Sequence, residues 1–290
     1  MKKIVLTSLL VAVLSCKDNS SEADAYGNFE ATEITVSSEA NGKIEFLNVE
    51  EGNKIAKNKI VGVIDTTQLH LNKLQLLASI QTISSKSTNV LSQRRVLGEQ
   101  LKTAIMEQNR ILSMYKESAS TKRQVDEIDG KVSVIQEQMK SVETQNAPIV
   151  NEVKSLEVQI KKIEDQIKKS KIENPVEGTV LTKFAEPNEI TSYGKPLYKI
   201  ADLSEMTLRV YFSETQLPSI KVGQEVTVSI DEKEGTKTYK GKISWISSSA
   251  EFTPKIIQTK EERVNLVYAV KVIVKNDGAL KIGMPAEVKL

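Results

Sequence analysis

Residues 42–65 read GKIEFLNVEEGNKIAKNKIVGVID, and residues 178–201 read GTVLTKFAEPNEITSYGKPLYKIA. One constant offset of 136 residues aligns them. Gly42-Lys-Ile44 falls on Gly178-Thr-Val180, Gly52 on Asn188, Asn58 on Gly194 and Lys59 on Lys195. Val61 falls on Leu197 and Ile64 on Ile200. Positions that pair Gly with Asn require turns, because these two residues best tolerate positive φ. Positions that pair apolar with apolar require a core. One register that meets both demands marks an internal repeat. Each copy reads as a few short strands joined by tight turns, with turn positions at Gly42, Gly52, Asn58, Gly178, Asn188 and Gly194.

Neither copy can bury its apolar face alone. Residues 35–66 must therefore pair with residues 172–202, giving a split, biotinyl/lipoyl-like β-sandwich with pseudo-twofold symmetry. Residues 67–171 are then an insertion whose ends leave from adjacent strands.

The insertion is helical by its periodicity. Val125, Ile128, Val132, Ile135, Met139, Val142, Asn146, Ile149, Val153, Leu156, Ile160, Ile163, Ile167 and Ser170 follow a 3–4 spacing, and twelve of the fourteen are apolar. That is a coiled-coil seam. The first arm is weaker but in phase: Leu69, Leu76, Ile80, Ile83, Val90, Leu97, Leu101, Ala104, Ile111 and Tyr115, broken by Lys73, Ser87, Arg94 and Gln108. Between the arms, Glu117-Ser-Ala-Ser-Thr-Lys122 ends one helix, and Thr121 with Gln124 fits a capping box that opens the next. The spacing predicts an antiparallel hairpin with arms about 70 Å long at 1.5 Å per residue. A parallel intermolecular coiled coil, kinked at the centre, is the alternative. Pro148 lies inside the second arm, opposite the polar stretch Ser84–Asn89, so both arms are weak at one level. We expect a hinge or local unwinding there.

Residues 203–290 change character. Period-two alternation runs through Met206–Phe212, Glu225–Ile230 and Val267–Val274, with turn signals at Gly223, Gly235, Gly241, Gly278 and Gly283. This predicts a small β-barrel. Trp245, within Lys242-Ile-Ser-Trp-Ile246, is expected to be a barrel anchor.

The N-terminus is a targeting segment. Lys2 and Lys3 precede an apolar run, Ile4–Leu14, too short to span a bilayer and suited to a signal peptide over residues 1–15. Val13-Leu-Ser-Cys16 resembles a bacterial lipobox, which makes Cys16, the chain's single cysteine, the expected lipidation site. A plain signal peptide with an incidental Cys16 is the alternative. Residues 16–34 then comprise the lipidated Cys, a polar tether over Lys17–Ala25 and a first strand.

Taken together, residues 27–290 resemble the HlyD-like membrane fusion proteins, or periplasmic adaptor subunits. The resembling stretches are Gly42-Lys-Ile44, Val49–Gly52, Asn58–Asp65, Ile172–Val180, Gly194–Asp202 and the closing Leu280-Lys-Ile-Gly-Met284. Phe252-Thr-Pro-Lys255 and Glu261-Glu-Arg263 resemble the branch that works with ABC transporters. The family usually has Gly at Asn58 and Asn188 and Ala at Asn174. The resemblance implies an elongated α+β chain that links an inner-membrane transporter to a TolC-like outer-membrane channel. It also implies a homo-oligomeric ring in the periplasm of a Gram-negative bacterium, lipid-anchored at the inner membrane. The family's channel-contacting pattern, Arg-x3-Leu-x6-Ser, falls on Arg110, Met114 and Thr121, with Met and Thr as departures.

Composition agrees with a non-enzymatic reading. One His and one Cys provide no basis for multi-ligand zinc or imidazole chemistry. A net charge of +2 gives no reason to expect nucleic acid. Five Phe, seven Tyr and one Trp suit thin modules and long helices. His70 is expected in the first helical turn, solvated, and the pairs Asp126/Asp129, Glu261/Glu262 and Glu50/Glu51 sit on solvated faces or turns. No catalytic constellation, P-loop, metal site or cofactor is expected. Two other functions stay open: a biotinyl- or lipoyl-type carrier subunit, and a structural envelope coiled-coil lipoprotein. A carrier needs a modifiable Lys at a β-hairpin tip, and the chain after Ile64-Asp65 opens into the helical insertion instead.

Overall fold

The computed structural model describes residues 23–233, 235–252 and 266–290. The signal segment, Cys16, most of the tether and the stretches 253–255 and 261–263 lie outside the described residues.

The first strand, β1 (Ala25–Glu30), belongs to the C-terminal barrel. The sandwich follows with β2 (Glu33–Ser37), β3 (Gly42–Leu47), β4 (Lys54–Ile55) and β5 (Ile60–Ile64). After the helical insertion come β6 (Lys171–Glu173), β7 (Gly178–Lys183), β8 (Ile190–Thr191) and β9 (Pro196–Ala201). The two sheets run β2-β9-β7-β4 and β6-β5-β3-β8. An offset of 136 residues carries β3 onto β7, β4 onto β8 and β5 onto the first five residues of β9. Each sheet thus mixes strands from both halves, and the halves exchange roles between sheets.

The repeat extends to individual hydrogen bonds. The amides of Gly52 and Asn188 donate to the carbonyls of Val180 (2.9 Å) and Ile44 (2.8 Å). Asn58 and Gly194 donate to the carbonyls of Asn174 and Ser38, both at 2.8 Å. All four turn residues have positive φ: Gly52 86°, Asn58 62°, Asn188 74° and Gly194 81°. Gly178 is different. It opens β7 without a positive φ, and a Cβ there would lie 2.5 Å from the Ala201 carbonyl oxygen. Close backbone approach, not a turn, requires glycine at that position. Ile44, Val61, Ile64, Val180, Leu197 and Ile200 are all buried in one core, each contributing about 1.5–3 kcal/mol by leaving water.

Two repeat positions break the symmetry. Gly62 occupies the place of the fully buried Tyr198, and a Cβ at Gly62 would meet the Phe46 carbonyl oxygen at 2.8 Å. Ser38 occupies the place of the fully buried Asn174. The Tyr198 hydroxyl donates to Asn174 Oδ1 (2.9 Å), and Asn174 Nδ2 donates to the Ala56 (3.0 Å) and Val176 carbonyls. The buried amide is therefore satisfied on both ends. Burial pushes the Tyr198 phenol up to about 12.

The insertion consists of α1 (Thr67–Lys116), α2 (Lys122–Thr144) and α3 (Asn146–Lys169). Its ends leave from neighbours: β5 pairs with β6, and the Ile64 amide donates to the Ser170 carbonyl (2.8 Å). Asp65 Oδ1 accepts the Thr67 amide at the entry (2.8 Å), and this hydrogen bonding with Thr67 holds the carboxyl below the usual range. All fourteen seam positions of the second arm are buried or half-buried. In the first arm Ile83, Val90 and Ala104 are buried, whereas Tyr115 is exposed. The pairs Gln108/Asp129 (2.8 Å), Arg94/Glu143 (3.6 Å) and Lys73/Glu164 (2.7 Å) join the arms. In each pair the two residues are equally far along the chain from the Ser118–Ala119 peptide, so the hairpin is antiparallel and folds about that bond.

The expected double weakness is present in one arm only. α1 runs unbroken through Ser84–Asn89. The second arm is interrupted at Gln145, whose amide donates to Val142 three residues back (3.1 Å). Pro148 has no N–H to give the Thr144 carbonyl, and the ladder therefore breaks on the N-terminal side of the proline. At this level Ser87 Oγ and Asn146 Oδ1 lie 2.6 Å apart, a polar contact inside the seam.

The barrel adds β10 (Glu205–Ser213), β11 (Glu225–Glu232), β12 (Gly235–Ile246), β13 (Glu251–Phe252), β14 (Leu266–Lys275) and β15 (Pro285–Lys289). Its strand order β10-β1-β15-β11-β12-β14 closes through β10–β14, and β13 flanks β14. Phe29, Met206, Leu208, Phe212, Ile230 and Leu280 are among the side chains filling the interior. Ala25, read as tether, is a buried strand residue. Gly283 (φ 80°) makes the turn into β15, its amide donating to the Phe29 carbonyl (2.7 Å) and locking β1 beside it. Trp245 does not anchor the interior. A register shift between Ile243 and Trp245 places both Ser244 and Trp245 outside, and Trp245 is 42% exposed.

Candidate functional site at the hairpin tip

The tip is built by two local devices. α1 ends at Glu117, and Ser118 takes a left-handed conformation (φ 58°) that lets the Ala119 amide donate to the Met114 carbonyl (2.7 Å). This is the usual way of closing a helix, with a serine in place of glycine. Ser120 Oγ donates to the Ile111 carbonyl (3.2 Å). The chain then re-enters helix through a capping box. Gln124 donates its amide to Thr121 Oγ1 (3.4 Å), and Gln124 Oε1 accepts the Thr121 amide (2.8 Å).

Arg110 and Met114 are one helical turn apart, so they share a face of α1. Arg110 is exposed, with Nη2 on the Glu107 carboxylate at 2.6 Å, and Met114 is 41% exposed. Thr121 is held differently. Its hydroxyl serves the cap, donating to Gln124 Oε1 at 3.0 Å. The tip surface adds Lys122 paired with Asp126 (2.8 Å) and Arg123 with Glu127 (3.8 Å). Hydrogen bonding to Asp126 raises the Lys122 ammonium, so the pair holds its charges through neutral pH. Arg110 is the part of this surface with donors to spare: its guanidinium carries five, and one acceptor is a surface carboxylate that a partner can replace.

Below the tip the arms leave an open groove lined by Val96, Thr103, Ala104, Gly130, Val134 and Ile135. Val96 and Val134 are 59% and 55% exposed. The seam pattern does not point to this groove, because Val96 and Val134 stand outside the heptad. The signal that could have found it is Gly130, a helical glycine with nothing near its missing side chain.

Other candidates are plain. His70 is exposed in the first helical turn. Asp126 faces Lys122, and Asp129 accepts from Gln108. Among the described residues no group of three or more His, Cys, Asp or Glu could hold a metal ion. No described helix is long and apolar enough to cross a membrane.

No family model matches the chain. Two curated relatives are the UPF0194 membrane protein Ent638_1286 of Enterobacter sp. (strain 638) and the UPF0194 membrane protein YbhG of Salmonella gallinarum. They are 27% and 28% identical over 293 residues, each match covering 91% of this chain and 87% of the relative. Among solved structures, MacA from Actinobacillus actinomycetemcomitans is 22% identical with a TM-score of 0.52, over 91% of this chain and 76% of that one. A MacA–MexA chimera carrying the Pseudomonas aeruginosa MexA α-hairpin domain is 20% identical with a TM-score of 0.54, over 91% and 79%. The architecture is thus the MacA type: a split lipoyl-like sandwich, an inserted helical hairpin and a small closed barrel.

Proposed function

We propose that this chain is a periplasmic adaptor, a membrane fusion protein without catalytic activity. It links an inner-membrane transporter of the ABC type to a TolC-like outer-membrane channel for efflux or secretion. Cys16 carries a lipid that anchors the mature chain to the inner membrane of a Gram-negative cell, and copies assemble into a ring. One observation carries the reading. A 50-residue helix, about 75 Å long, projects between paired strands of a dense sandwich and ends in exposed Arg110 and Met114. A small enzyme has little use for such a lever.

At the tip, Arg110 exchanges Glu107 for backbone carbonyls or carboxylates of the channel. Met114 fills an apolar groove beside it, its flexible thioether adapting to the partner's shape. Thr121 fixes the turn from which both are presented. The interruption at Gln145 serves as a hinge that lets the tip half reorient against the base half.

Export by cells carrying Arg110→Ala and Met114→Ala together tests the reading. Anchors of this kind weaken binding about thirty-fold or more when truncated, so export should collapse while expression, fold and transporter binding persist. Thr121→Ser keeps the cap hydroxyl and should export normally. Undiminished export by the double variant removes the tip assignment.

A further inference from the structure

The outer wall of the barrel carries opposite charges on opposite sides. On β12 and β14 the outward cations are Lys240, Lys242, Lys271 and Lys275. Ile273 stands among them opposite Lys242, and Trp245, the chain's single tryptophan, ends the row opposite Lys271; they are 40% and 42% exposed. Lys271 Nζ lies 5.5 Å from the centre of the Trp245 ring. A groove on this side is lined by Lys240, Lys242, Lys275, Ile273 and Val222, with Glu205 and Glu225 leaving it net positive. Neither β12 nor β14 carries an acidic residue.

Around the closed strand order, β1 stands diametrically across from β12, and β15 across from β14. That side presents the carboxylates of Glu30 and Glu287, with Asp231 on the adjoining β11, and one outward cation on β15, Lys289, which leaves it net acidic. A second groove there is walled by Tyr26, Tyr211 and Pro285, with those three carboxylates around it. Tyr26 is 59% exposed. Arg209, also on this groove, is neutralised by Glu251 Oε2 at 2.9 Å. One side therefore offers ammonium groups and an exposed indole, and the other offers carboxylates around the exposed Tyr26 and the half-buried Tyr211.

We propose that these two faces are made for each other in successive copies of this chain. The Lys240/Lys242/Lys275 face of one copy seats on the Glu30/Asp231/Glu287 face of the next. Trp245 and Tyr26 are the apolar anchors, and the charges set register and suppress wrong pairings. Because the two faces differ, the contact is heterologous: each copy uses both, and such contacts close a ring when the rotation from copy to copy closes. This rests on the self-assembly in the proposed function and names the surfaces that perform it. A second copy is the occupant because both halves of the complementarity are present on one chain.

Charge reversal tests it on the full-length chain in detergent, by sedimentation velocity. Lys242→Glu with Lys275→Glu makes both faces acidic, and Glu30→Lys with Glu287→Lys makes both basic. All four side chains point outward, and circular dichroism checks that the fold is retained. Each double variant alone should need at least ten times the wild-type concentration to assemble. An equimolar mixture should recover wild-type assembly, since alternating copies restore every contact. Salt of 0.5 M, with a screening length of about 4 Å, should weaken wild-type assembly. If the wild type assembles and neither double variant alters it, these faces are wrong and the ring must form elsewhere. If both variants dissociate but the mixture does not recover, the pairing is likewise overturned. A wild type that stays monomeric at every concentration overturns self-assembly itself.

Discussion

The sandwich and the hairpin hold themselves together in different ways. In the sandwich each half supplies strands to both sheets, and six matched side chains, from Ile44 to Ile200, are sealed from solvent. In the hairpin each seam residue meets one facing helix, and only eight positions within its three helices are buried. The sandwich therefore behaves as a rigid socket and the hairpin as a lever that tolerates polar residues in its seam. This division places precision at the base and adaptability at the tip.

The largest test of this contrast is a matched pair of core deletions. Leu197→Ala in the sandwich should cost about 2–5 kcal/mol, the usual range for an aliphatic side chain deleted in a closed core. Ile128→Ala in the seam should fall at or below the bottom of that range, because water can reach the gap. Denaturant unfolding of both variants measures the difference, and equal losses would erase the distinction.

Next in size is the buried polar contact that breaks the repeat. Asn174→Ala strands the Tyr198 hydroxyl and should cost about 1–3 kcal/mol. Asn174→Ala combined with Tyr198→Phe should recover part of that loss, since no buried donor is then left unpaired.

The same tyrosine gives a pH signature. Burial holds its folded pKa at about 12, above the ordinary phenol value of 10.0. The unfolded chain loses the phenolic proton first, so stability is fully present below pH 10 and falls as pH rises toward 12. The loss should approach about 2 kcal/mol by pH 12 and be absent in Tyr198→Phe, measured by urea midpoints across that range.

The smallest effect expected is in the lever. Pro148→Ala restores an N–H for the Thr144 carbonyl and should add about 1 kcal/mol of hairpin stability. Helical circular dichroism should rise slightly and export should fall, if reorientation at Gln145 is used. Unchanged export would make the break incidental.

Much of this architecture was legible because its signals are local or periodic. The offset of 136 residues placed turns and core together, and the seam spacing gave the second arm residue by residue. The capping box at Thr121 needed only two residues, Thr121 and Gln124, three positions apart. What escaped the sequence depends on distant partners. β1 pairs with β10 and β15, near the far end of the chain, and nothing within Ala25–Glu30 announces this. Asn174 stands where the resemblance leads one to expect Ala, and its purpose is visible only once the Tyr198 hydroxyl is seen donating to it. Trp245 sits at an alternation point where an inward direction is expected, and one extra residue in β12 turns it out. The charged faces of the barrel became readable only once the strand order closed. At the tip, the spacing of Arg110 and Met114 showed they share a face, but the Glu107 carboxylate on Arg110 became visible only in the structure.

The central claim is that the hairpin tip meets an outer-membrane channel. A photocrosslinking amino acid at Met114, activated in intact cells, tests it most directly. The account predicts a discrete adduct with a TolC-like channel, lost when Arg110→Glu is added. Adducts with further copies of this chain alone, or none where the same probe at a barrel position does crosslink, would contradict it.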